Sequence, residues 1–147
     1  MCRGVYLMPK LVHEVITELN KKKSKADKIS ILKQNETWAL KDYIRGSMDP
    51  TIQWLLPQGA APPYTACEPH NTPSSLFRET KKLAYFAKGS PRGANLNQIK
   101  RERMFISMLE SIDPGDALLM IDMINKKTPD GLTKAIIDEA FPGLLRG

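Results

Sequence analysis

Three features of the 147-residue sequence predict an all-α fold: one domain of six or seven helices carrying a long proline-rich loop. Apolar residues recur at i, i+3, i+4 and i+7 along each apolar stretch. No stretch alternates with period two, and prolines and glycines crowd the intervals between. The pattern is strongest over residues 99–124, a helical pair broken at Asp113-Pro114. Phe105, Met108, Leu109 and Ile112 form one face of its first helix. Ala117, Leu118, Ile121 and Ile124 repeat the spacing in the second, widened by Leu119, Met120 and Met123. Asp113 is a suitable N-cap, and Pro114 takes the first helical position, where its missing N–H costs nothing. A pair this apolar must be the core on which the other segments pack.

The remaining elements follow in order. Residues 1–9 are expected to be a flexible N-terminus, and residues 10–147 a single helical domain. Leu11, Val15 and Leu19, beside Val12 and Ile16, predict a helix over Lys10–Lys22. His13 lies between the stripes without a partner motif, so a surface or packed residue is expected there. Ser24 and Asp27 resemble a capping box for a short helix burying Ile29 and Leu32. Asn35 is placed to cap a third helix, Glu36 to Arg45, with Trp38, Ala39 and Tyr43 inward and Gly46 as its stop. Six prolines between Pro50 and Pro73 rule out a long helix or a central strand. One helical turn after Asp49 would place Trp54, Leu55 and Leu56 as an anchor, leaving 57–73 as an arm over the surface. Ser74 or Ser75 caps the next helix, to about Lys88, with Leu76, Leu83 and Ala84 inward. A last helix over Leu132–Ala140 buries Ile136 and Ile137 and stops at Phe141-Pro142-Gly143.

Net charge is +6, distributed in segments. Residues 1–45 hold ten Lys/Arg against five acids, residues 74–103 eight against two, and residues 104–147 four against seven. Lys21, Lys22, Lys23, Lys25 and Lys28, with Arg78, Lys81, Lys82, Lys100, Arg101 and Arg103, are the candidate contacts to a nucleic-acid backbone. The alternative is a solvated basic exterior, with Lys21 to Lys25 also complementing a helix C-terminus. No apolar run approaches the ~20 residues of a membrane span. The start of the chain does not fit a signal peptide, so a cytoplasmic location is expected.

The run Met48-Asp-Pro-Thr-Ile-Gln-Trp-Leu-Leu-Pro-Gln-Gly59 is followed by Ala61-Pro-Pro-Tyr64, Ser75-Leu-Phe-Arg-Glu79 and Lys100-Arg-Glu-Arg-Met-Phe-Ile-Ser-Met-Leu-Glu-Ser-Ile-Asp-Pro114. With Asp138-Glu-Ala-Phe-Pro-Gly143, these stretches resemble an uncharacterised family of short proteins of T-even-like tailed phages, including cyanophages. The resemblance covers nearly all of the chain after residue 10. It implies the cytoplasm of an infected host cell as the setting and assigns no site residues.

Enzyme and metal chemistry find little footing. Cys67 and His70 have metal-ligand spacing, but only Cys2 and His13 remain to complete a four-ligand set, so no metal or cofactor is expected. Two histidines and no P-loop or dinucleotide fingerprint leave no catalytic constellation. The expected function is a non-enzymatic accessory binding protein acting in nucleic-acid metabolism through a basic surface. The alternatives are a protein-interaction module docking on phage or host machinery, or a minor virion component. Convergence of the basic segments on one face favours the first reading. Their dispersal, with an exposed apolar patch, favours the second.

Overall fold

The computed structural model describes residues 10–69 and 71–146. Seven α-helices follow in chain order: α1 Val12–Asn20, α2 Lys25–Gln34, α3 Trp38–Met48, α4 Leu76–Glu79, α5 Gln98–Ser111, α6 Pro114–Ile124 and α7 Lys134–Ala140. A 3-10 segment, Thr80–Tyr85, continues α4, and a 3-10 turn, Pro91–Gly93, interrupts the next loop. Among the described residues there is no strand, only an isolated antiparallel bridge between Trp54 and Ala87. The fold is all-α. The flexible N-terminus expected for residues 1–9, with Cys2, and the histidine of the Cys67–His70 pair lie outside the described residues.

The apolar pair α5–α6 is central: α6 packs on α1, α3 and α5, while α2 rests on α1 and α7. Met108, Leu109, Ile112, Met120 and Met123 from this pair meet Leu19, Leu40 and Ile44 in one buried cluster. Side-chain caps start several of the helices, although Ser75, expected as a cap, precedes α4 without a side-chain cap bond. Ser24 accepts the Asp27 N–H, Asn97 that of Lys100, Asp113 that of Gly115 and Thr133 that of Ile136.

Several elements depart from the sequence expectation for identifiable reasons. Thr37, not Asn35, caps α3, accepting the Leu40 N–H at 3.1 Å. Asn35 instead closes α2, its amide donating to the Ile31 carbonyl. Trp38, the first residue of α3, falls on its outer side instead of facing inward, since Ala39, Leu40, Tyr43 and Ile44 take the inner face. Gly46 does not stop the helix but lies buried within it. A Cβ there would meet Met123 Sδ at 2.6 Å and Trp54 Cζ2 at 2.7 Å, so glycine lets α6 and the Trp54 ring close onto α3. Leu118, expected in the core, is exposed, since Met120 and Met123 take the inner face of α6.

The single helix expected over 74–88 is split. In the 3-10 geometry residues three apart eclipse one another. Thr80, Leu83 and Phe86, each three apart, all turn to the core. No helical turn follows Asp49; its carboxylate accepts from the Thr51 N–H and Oγ1, and forms a tight bend instead.

The proline-rich arm is non-helical, and it is fastened along the central pair. Gly59 exchanges hydrogen bonds with the Asn125 side chain, the Thr65 N–H donates to Glu110, and Cys67 Sγ donates to the Ile112 carbonyl at 2.7 Å. Tyr64 packs half-buried against its own core.

Candidate binding surfaces

Lys21, Lys22, Lys23 and Lys25 are exposed around the turn between α1 and α2. Lys25 pairs with Glu139 of α7 at 2.7 Å, and Lys28 Nζ donates to the Gly131 carbonyl at 2.7 Å. Arg78, Lys81 and Lys82 are exposed on α4 and the 3-10 segment, and Lys100 and Arg103 on α5. Lys82 is engaged by Glu79 at 3.0 Å. The two groups ride on elements with different principal packing partners: α2 on α1 and α7, α4 and the 3-10 segment on α3.

Arg101 does not belong to this surface. It is 7% exposed, and its guanidinium donates to the carbonyls of Tyr85, Gly93 and Leu96 at 3.1–3.2 Å and to Gln98 at 2.8 Å. A fork of five N–H donors can satisfy several carbonyls at once, and here it fastens the 85–96 connection to α5. A phosphate has no access to it. Charge counting along the sequence carries no signal of such a role.

Among the described residues the most exposed large apolar side chain is Trp38, at 73%. Lys41 Nζ lies 5.1 Å from the centre of its ring and 5.6 Å from that of Phe141. Such distances place the ammonium between two aromatic faces. Lys41 also pairs with Glu36, and Pro142 and Leu144 extend the shallow hollow beside Phe141.

A cleft of about 220 Å³ opens at the other end of α3, against the 3-10 segment. Ile52, Trp54, Leu83 and Ala84 contribute its apolar lining, and Asp42, Arg45 and Lys81 its polar groups. Trp54 is held by its Nε1–H, which donates to the Gly46 carbonyl at 3.0 Å. Arg45 bonds Asp42 at 2.9 Å. Burial pushes the Asp42 carboxyl above its ordinary range, against the pull of Arg45 and the Thr80 hydroxyl.

The densest titratable cluster is His13, Asp113 and Asp116. His13 Nε2 lies 2.9 Å from Asp113 Oδ1, although the approach is not aligned as a hydrogen bond. The His13 N–H donates to Asp116 Oδ1 at 2.9 Å. Burial raises Asp116 to about 6; the His13 N–H and imidazole pull against it, while Asp113 and Glu14 reinforce it. Gly115 lies directly under the imidazole, where a Cβ would approach the ring at 2.5 Å. The cluster packs α1 onto the start of α6, as expected of a packed histidine. No group of three or more metal-ligating side chains converges among the described residues, nor does any helix there have the length and apolarity to cross a membrane.

A family model described as a family of unknown function, DUF6433, matches residues 15–130. The chain belongs to this family. The DUF6433 match spans α2 to α6 complete, with both tryptophans and the whole cleft, whereas Phe141 lies beyond it. No curated protein matches the chain.

Proposed function

We propose that this DUF6433 member is a non-enzymatic accessory protein that docks on a protein partner through the surface around Trp38. The observation that carries the reading is the 73% exposure of Trp38, flanked by Lys41 and beside Phe141. Tryptophans in such positions anchor interfaces, because one rigid side chain buries a large apolar area at little entropic cost. The separate packing of the two basic segments supports the same reading. The phage-like stretches, such as 48–59 and 100–114, point to the cytoplasm of an infected cell as the setting.

One observation favours the nucleic-acid alternative: Lys21, Lys22, Lys23, Arg78, Lys81, Lys100 and Arg103 are exposed without an ion pair among the described residues. Retention on duplex DNA over a salt gradient separates the two. Phosphate neutralisation lowers the logarithm of affinity by about 0.9 per contact per logarithm of salt. Docking through Trp38 predicts at most a shallow slope, and a variant with Lys21, Lys22, Lys23 and Lys25 changed to Ala that keeps its protein partner. A steep slope that the fourfold variant flattens overturns it.

A further inference from the structure

We infer that the cleft between α3 and the 3-10 segment receives an apolar side chain from an acidic stretch of a partner protein. The size of the cleft decides between classes of occupant. Sites for whole small ligands run to roughly 300–1,000 Å³. At about 220 Å³ the cleft falls short of that and suits one anchoring side chain, not a nucleotide.

The floor is rigid, as a receptor for such an anchor must be. Trp54 is fixed through Nε1 to the Gly46 carbonyl, and its ring edge lies so close over Gly46 that no Cβ fits. Its backbone is bridged to Ala87 on the opposite wall, with the Leu55 N–H donating to the Phe86 carbonyl at 2.7 Å. Leu83 and Ile52 complete an apolar bed.

The rim sets the charge of the partner. Among the described residues the one carboxylate lining the cleft, Asp42, is already engaged by Arg45. Lys81 has no ion pair among the described residues, and Arg78, exposed three residues earlier, adds a second positive charge to the same segment. The rim therefore carries a positive excess beside an apolar hole, complementary to a leucine-like side chain flanked by carboxylates.

Changing Trp38 to Phe leaves Trp54 as the sole tryptophan and removes the indole of the outer platform, so the two surfaces can fail independently. The probe is an acetylated, amidated peptide, Asp-Asp-Leu-Leu-Asp-Asp, titrated into the W38F full chain while Trp54 emission is followed. The expected result is a saturable change with Kd below about 1 mM. Lys81→Glu, a change at an exposed position, should weaken binding by about tenfold or more, and Ala84→Leu, which fills the hole, should abolish the response. The fold of both variants is checked by circular dichroism. Absence of a saturable response, equal affinity in Lys81→Glu, or equal binding of the Lys-Lys-Leu-Leu-Lys-Lys peptide overturns the inference. So does a short oligonucleotide that shifts Trp54 emission more tightly than the acidic peptide.

Discussion

The two ends of α3 solve opposite problems with the same kind of residue. At the C-terminal end Trp54 is tucked over Gly46, and the Arg45 and Gly46 carbonyls of the last turn are engaged, the first by the Asp49 N–H. Lys126 Nζ donates to the carbonyls of Gly46 and Asp49 at 2.8 Å each, and Trp54 Nε1 shares the first of them. The Asp49 carboxylate, fully buried, accepts from Thr51 and from the Arg146 N–H, tying the bend to the C-terminal segment. At the N-terminal end Thr37 caps the helix and Trp38 stands in solvent. One end spends its aromatic on the fold, and the other leaves it in solvent.

This contrast predicts that substitutions at the first end cost stability and those at the second cost binding. The largest effect is expected from Gly46→Val. It forces the side chain into Met123 and Trp54 and should destabilise by about 3 kcal/mol, read as a fall in the denaturant midpoint. Near-wild-type stability would mean the two ends are not so different.

Asp49→Ala comes next, at about 2 kcal/mol near neutral pH, because it removes the charged acceptor that holds Thr51 and the Arg146 N–H. Burial alone would raise Asp49, but the Thr51 and Arg146 hydrogen bonds and Lys126 outweigh it and hold the carboxyl below its ordinary range. Its contribution is therefore present above the unfolded-state pKa and lost as pH falls through the folded value. The Asp49→Ala penalty should shrink in acid.

Asp116 must behave in the opposite sense. It is buried and, among the described residues, accepts only the His13 N–H, and burial lifts it to about 6. The folded state favours its protonated form. Stability should therefore decline as pH rises from about 4 to 6. Asp116→Asn keeps an acceptor for the His13 N–H and should flatten this decline, gaining on the order of 1 kcal/mol at pH 7. Chemical denaturation at several pH values distinguishes the two carboxylates by sign. The smallest stability effect belongs to Trp38→Ala, within about 0.5 kcal/mol, as for other surface positions.

The central pair was legible in the sequence because periodicity and the Asp113-Pro114 start signal agree, and no tertiary contact overrides them. What escaped was set by contacts between distant segments. Gly46 carries the local signal of a helix stop, and only the approach of Met123 and Trp54 explains it as an interior residue. Asn35 and Thr37 are both competent caps two residues apart, and Trp38 adjoins an inner face of Ala39, Leu40, Tyr43 and Ile44, so local pattern alone does not tell which side of α3 it takes. Of the proposed phosphate contacts, Arg101 was misplaced because its carbonyl partners lie in a loop of no distinctive pattern. The arm at 57–73 was recognised as non-helical from its prolines, and the hydrogen bonds that hold it to α5 and α6 have no sequence signature.

The most direct measurement is recovery of partners by tagged wild-type protein and a Trp38→Ser variant from the cells that produce the protein, each with and without nuclease. Docking through Trp38 predicts a stoichiometric protein band that survives nuclease with wild type and disappears with Trp38→Ser. Recovery abolished by nuclease and unchanged by Trp38→Ser would contradict it.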